Sequence, residues 1–75
     1  MTAGTTEKTI TVCVNGQWKA LPQGITLKGV AERYGLNEKS VVFELNRKVV
    51  DRTSYSNIQL QERDAVEIVH LVGGG

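Results

Sequence analysis

Asn15-Gly16 directly follows a stretch of strict alternation, and no other two residues limit the fold of this chain as strongly. From Lys8 to Val14, Ile10, Val12 and Val14 fall on one face and Thr9, Thr11 and Cys13 on the other, the period of a half-buried strand. Asn-Gly tolerates positive φ at both centres of a type I′ turn, so Gln17 to Leu21 is expected to return as an antiparallel strand carrying Trp18. The first element is a hairpin.

Pro22-Gln23-Gly24 is expected to break the second strand, after which the Thr26 hydroxyl is placed to cap the free N–H groups of a helix. Leu27, Val30, Ala31 and Tyr34 keep the i, i+3, i+4, i+7 spacing of one apolar helical face, and Gly35 suits the left-handed position that ends it. Gly29 inside this helix costs about 1 kcal/mol against alanine, and a close backbone approach to the sheet would account for it. Val41 to Leu45 reads as a third strand, Asn46-Arg47 as a turn and Lys48 to Val50 as a short return. Asp51 to Gln61 is polar and turn-rich, with Tyr55, Ile58 and Leu60 as anchors for a short helical turn and the approach to the core. After Glu62-Arg63-Asp64 comes a dense apolar strand, Ala65 to Val72, whose continuity suggests neighbours on both sides. Three glycines follow.

A lone helix among these strands must cross one face of a mixed sheet to bury its stripe, an α+β architecture. If the last strand lies beside the first, the outcome is a β-grasp. The 75 residues, 40% of them hydrophobic, suffice for one domain, 1–75, with loose tails at 1–8 and 73–75. Below about 80 residues such a core is often reinforced by disulfides or a metal. Here the only cysteine is Cys13 and the only histidine His70, which excludes an internal disulfide and a zinc cluster built from soft ligands. Met1 to Lys8 has no apolar signal region and no run elsewhere approaches a membrane span, so a cytoplasmic protein is expected, without a membrane partner. A net charge of +1 with no basic cluster argues against nucleic acid.

The ending from Arg63 to Gly75, with Val66-Glu67-Ile68-Val69-His70-Leu71-Val72 running straight into Gly73-Gly74-Gly75, resembles the C-terminus of the sulfur carriers of thiamin-thiazole biosynthesis, the ThiS family. Val12-Cys13-Val14-Asn15-Gly16 is similar to that family's opening strand and turn, and Val42-Phe43-Glu44-Leu45-Asn46 to its middle strand. The likeness spans Ile10 to Gly75 and implies a ubiquitin-like β-grasp with one helix across a mixed sheet and a flexible glycine tail. It implies a protein co-substrate rather than an enzyme, with no cofactor of its own and no catalytic side chain. A ThiF-type adenylating enzyme would convert the Gly75 carboxylate to an acyl adenylate, and sulfur from a persulfide-bearing protein would displace AMP. The thiocarboxylate would then serve a ThiG-type thiazole synthase.

The residues suit that chemistry. A terminal carboxyl has an ordinary pKa of about 3.3 to 3.7, so at neutral pH it is an anion able to attack an α-phosphate without a general base. Three extended residues reach roughly 10 Å, and Gly73 and Gly74, lacking Cβ atoms, would thread a narrow channel ahead of Gly75. A tail needs a folded surface to position it, and Val69 and Leu71, of opposite parity to Val66 and Ile68, are expected to face outward as the docking residues. Cys13 reads as a packed thiol, His70 as structural, Trp18 as cover for the core edge, and Glu62 and Asp64 as turn carboxylates. Two other readings remain open. One is a molybdopterin-synthase-type small subunit, although such chains usually carry prolines before the terminal glycines. The other is a ubiquitin-like interaction or conjugation module that carries no sulfur.

Overall fold

The computed structural model describes residues 8–71, so both expected tails, apart from Lys8, lie outside the described residues. β1 (Thr9–Val14) and β2 (Gln17–Pro22) pair antiparallel, with Val14 opposite Gln17 and only Asn15 and Gly16 between them. Their φ values of 50° and 83° are the two left-handed centres that the turn requires. The break at Pro22-Gln23-Gly24 falls one residue later than expected, with a turn at Gln23-Gly24. Pro22 is the last residue of β2, opposite Thr9, and β2 is an edge strand, where a missing N–H costs nothing.

α1 (Leu27–Arg33) begins where expected, the Thr26 hydroxyl accepting a hydrogen bond from the Gly29 N–H at 3.0 Å. Leu27, Val30 and Ala31 are buried. Tyr34 is not, because it is the C-cap and has already left the helical stripe before Gly35 at φ +67° turns the chain away. Gly29 has a different reason from the one its sequence suggested. A Cβ there would lie 2.8 Å from Cγ1 of Ile25, so the glycine makes room for the side chain at the helix's own entrance and not for the sheet.

β3 (Val41–Leu45), β4 (Lys48–Val49) and β5 (Ala65–His70) complete a five-stranded sheet in the order β2-β1-β5-β3-β4. β5 lies parallel to β1 and antiparallel to β3, which makes the sheet mixed and gives the expected β-grasp. The strand stops at His70, two residues short of the expected Val72. A 3-10 turn at Glu38–Ser40, which the sequence reading did not include, leads into β3.

One face of the sheet, lined by Ile10, Val12, Val14, Phe43 and Val66, packs with α1 into the core. Tyr55 and Leu60 close it from the long connection, as their positions suggested, following a 3-10 turn at Arg52–Ser54. Asp51 caps that turn, and the hydrogen bonds it accepts from the Thr53 N–H and hydroxyl hold its carboxyl below the usual carboxylate range. The Tyr55 ring meets Phe43 edge to face at 4.9 Å, and its hydroxyl accepts the Phe43 N–H at 3.1 Å. Trp18 gives no cover to this core. It is 57% exposed, because in register it opposes Cys13 and so belongs to the face that α1 leaves open.

Candidate functional site

β5 carries the chain toward the glycines, and the hydrogen bonding around it sets where that approach points. Odd-numbered residues of β5 bond toward β3 and even-numbered ones toward β1, as expected when N–H and C=O of one residue share a side. On the β3 side, Asn46 N–H donates to the Ala65 carbonyl at 2.8 Å and Leu71 N–H to the Ser40 carbonyl at 2.9 Å. On the β1 side, Cys13 N–H reaches Asp64 O and Asn15 N–H reaches Val66 O, both at 2.9 Å.

The next rung on each side is made by a side chain. In a regular parallel ladder the Ile68 N–H would meet the main-chain carbonyl of Asn15. The chain turns at Asn15, and its side-chain Oδ1 accepts that N–H instead, at 2.7 Å. Asn46, at φ +52°, does the same on the other side, its Oδ1 accepting the Ala65 N–H at 2.9 Å while its Nδ2 donates to Asp64 Oδ1 at 3.1 Å. Two hairpin asparagines in left-handed conformation thus extend the ladders on both flanks of β5. Sequence reasoning found both as turn residues and missed this second role. The available signal was that asparagine, unlike glycine, brings an acceptor to a left-handed turn position.

The open sheet face beside this strand holds the expected docking residues. Val69 is 42% exposed and Leu71 48%, and Val69 lies opposite Val42 on β3. Glu67 opposes Glu44 on the same face, and Val49 of β4 lies on Glu44's other side. His70 shares the parity of Val66 and Ile68, yet it is exposed: burial fades from Val66 through half-buried Ile68 as the strand outruns the core. Cys13 is half-buried, beside Ala65, at the edge of an open hollow shared with Glu44, Glu67 and Arg47. Glu62 and Asp64 are turn carboxylates as expected, with specific partners. Glu62 Oε1 accepts the Thr11 N–H at 3.1 Å, and Asp64 Oδ2 accepts the Gln61 N–H at 2.7 Å. Among the described residues no three His, Cys, Asp or Glu side chains gather into a metal-holding group, and no helix is long and apolar enough to cross a membrane. Gly73, Gly74 and Gly75 lie outside the described residues.

The model of the ThiS family matches residues 6–75. A sulfur carrier protein ThiS of Bacillus subtilis is 38% identical over 50 residues, which cover 67% of this chain and 76% of that protein. A thiazole synthase of Magnetococcus marinus is 39% identical over 62 residues, 83% of this chain, and the match spans only 19% of that protein's length. The crystal structure of a thiamine biosynthesis protein (ThiS) from Geobacter metallireducens superposes with a TM-score of 0.76 at 23% identity, covering 88% of this chain and 100% of that one. With a family match across nearly its whole length and the β-grasp topology to accompany it, the chain belongs to the ThiS family of ubiquitin-like sulfur carriers.

Proposed function

We propose that this protein carries sulfur for thiazole formation in thiamin biosynthesis as a consumed and regenerated co-substrate, its Gly75 carboxylate being the group that reacts. The observation that carries the reading is the family match through residue 75, onto the Gly73-Gly74-Gly75 segment that follows β5 without a polar linker. An adenylating enzyme of the ThiF type activates the carboxylate: one carboxylate oxygen attacks the α-phosphate of ATP and pyrophosphate leaves. The terminal sulfur of a persulfide donor then displaces AMP to give an acyl disulfide, and a second thiol cleaves its S–S bond, releasing the thiocarboxylate and leaving a disulfide on the donor side. The thiocarboxylate sulfur is far more nucleophilic than the oxygen it replaces, so its transfer requires no side chain of the carrier. Gly73 and Gly74 thread the partner's channel, and Val69 and Leu71 dock the folded domain.

A ThiG-type thiazole synthase is the proposed acceptor. Two proteins named thiazole synthase, from Magnetococcus marinus and Paramagnetospirillum magneticum, each contain a 62-residue segment similar to this chain within a polypeptide about five times as long. A carrier-like segment sharing a chain with a synthase favours this acceptor over a molybdopterin synthase.

Incubation with ATP, the activating enzyme, a persulfide donor and a thiol reductant tests the proposal. The chain is expected to gain one sulfur in place of one oxygen, located by fragmentation at Gly75, and to lose it when thiazole synthase and its substrates are added. Removing Gly74 and Gly75 is expected to abolish ATP–pyrophosphate exchange while the fold persists. Undiminished exchange by the shortened chain, or a stable isopeptide bond to a lysine, would overturn the carrier mechanism.

A further inference from the structure

The two asparagines flanking β5 act at different points along the strand. Asn46 secures Ala65, where β5 begins, and Asn15 secures Ile68, three residues before the described chain ends at Leu71. On the β1 side the strand-to-strand register stops at Val14 with Val66. The main chain of Asn15 still donates to Val66 O, and among the described residues the bond from Ile68 N–H to Asn15 Oδ1 is the outermost link on that flank. On the β3 side the corresponding outermost link is Leu71 N–H to Ser40 O. The C-terminal half of β5 is therefore held on one side by the antiparallel ladder with β3, which runs to Val41 opposite His70, and on the other by one side-chain carbonyl. Without that carbonyl, Ile68 to Leu71 would hinge on the β3 side alone.

From this geometry we infer that Asn15 is a positioning residue for acyl activation: its side-chain carbonyl fixes the direction in which β5 presents the segment beyond Leu71 to the activating enzyme. This rests on the proposal that Gly75 is adenylated. A carboxylate several residues beyond an anchored strand reaches an α-phosphate in line only if the strand's exit direction is restricted, and small misplacements of reacting groups cost large factors in rate. Asn15 does not touch the reacting atoms. Its effect belongs in kcat, whereas the docking face of Val69 and Leu71 governs KM.

Three variants separate this role from simple turn stability. Asn15→Gly keeps a residue content at φ +50° and removes the acceptor, Asn15→Asp keeps an acceptor, and Asn46→Gly removes the equivalent bond at the strand's far end. Ile68 and Ala65 amide exchange by NMR reports the bonds, and steady-state ATP–pyrophosphate exchange with the activating enzyme reports function. For Asn15→Gly we expect Ile68 exchange to rise about tenfold, the change expected for loss of one such hydrogen bond. We expect kcat to fall by about the same factor, with KM for the carrier within about twofold. Asn15→Asp is expected to restore both, and Asn46→Gly to speed Ala65 exchange with kcat unchanged. If Asn15→Gly frees the Ile68 amide but keeps wild-type kcat, or if Asn46→Gly lowers kcat equally, Asn15 only stabilises the sheet and the inference fails. A wild-type chain that the enzyme does not adenylate at all removes the underlying functional reading first, and the inference falls with it.

Discussion

A single oxygen atom closes the core at Tyr55. The side chain is buried, and its hydroxyl accepts the Phe43 N–H on the flank of β3 that β4 is too short to cover fully. Tyr55→Phe keeps the ring and its edge-to-face contact but leaves a buried backbone donor without a partner. An orphaned buried donor costs about 1 to 3 kcal/mol, so urea unfolding should show a loss in that range with an unchanged m-value. A variant as stable as wild type would mean that the Phe43 N–H finds water. Tyr55 was legible as an anchor because it is aromatic in an otherwise polar stretch, Asp51 to Gln61. Its hydroxyl's partner was not, since nothing local ties Tyr55 to Phe43 twelve residues earlier. Asn15 and Asn46 follow the same rule. Their turn conformations are local and were readable, while their bonds to β5 span 53 and 19 residues and became visible only with the sheet assembled.

Among the elements, α1 depends most on its ends. Seven residues are too few for an isolated helix to persist in water, so packing of Leu27, Val30 and Ala31 and the Thr26 cap hold it together. Thr26→Ala should cost about 1 kcal/mol, read as a lower urea midpoint, and Thr26→Ser should recover most of it. Gly29→Ala would ordinarily gain about 1 kcal/mol of helix propensity. Here the new Cβ meets Ile25, half-buried against the core, and overpacking costs typically 1 to 3 kcal/mol, so a net loss is expected. A stabilised Gly29→Ala protein would show that Ile25 rotates away freely. The punctuation of this helix was legible because Thr26 and Gly35 act through their neighbours. The end of its apolar stripe was not: Tyr34 continues the spacing on paper, but the backbone leaves helical geometry one residue earlier. The end of β5 misled in the same way. Its apolar run continues to Val72, while the ladder that defines the strand depends on how far β3 reaches alongside it.

At the scale of the whole molecule, α1 and the long connection cover one face of the sheet, and among the described residues the other stays open across β2, β1, β5, β3 and β4. Parity assigned Val69 and Leu71 to the open side from sequence alone, because side-chain alternation along β5 follows from Val66 and Ile68 facing the core. Trp18 was placed wrongly because its bulk was weighed above the hairpin register, which sets it opposite Cys13 and away from the face of Ile10, Val12 and Val14. The proposed docking surface yields a comparison between two substitutions of the same chemistry on one strand. Val66→Asp puts a carboxylate into the core, where Val66 is 2% exposed, and the chain should fail to fold at ordinary temperature. Val69→Asp puts it on the open face. The loss of β propensity and of the Val42 contact there should cost about 1 kcal/mol of stability. If Val69 lies within the surface that docks the activating enzyme, an aspartate in a desolvated apolar contact should raise KM in ATP–pyrophosphate exchange at least tenfold, about 1.4 kcal/mol or more. The folded fraction of the variant, checked by its urea midpoint, falls far too little to produce that change. Wild-type KM in a folded Val69→Asp protein would move the docking surface elsewhere, and collapse of that variant like Val66→Asp would mean that Val69 supports the fold itself.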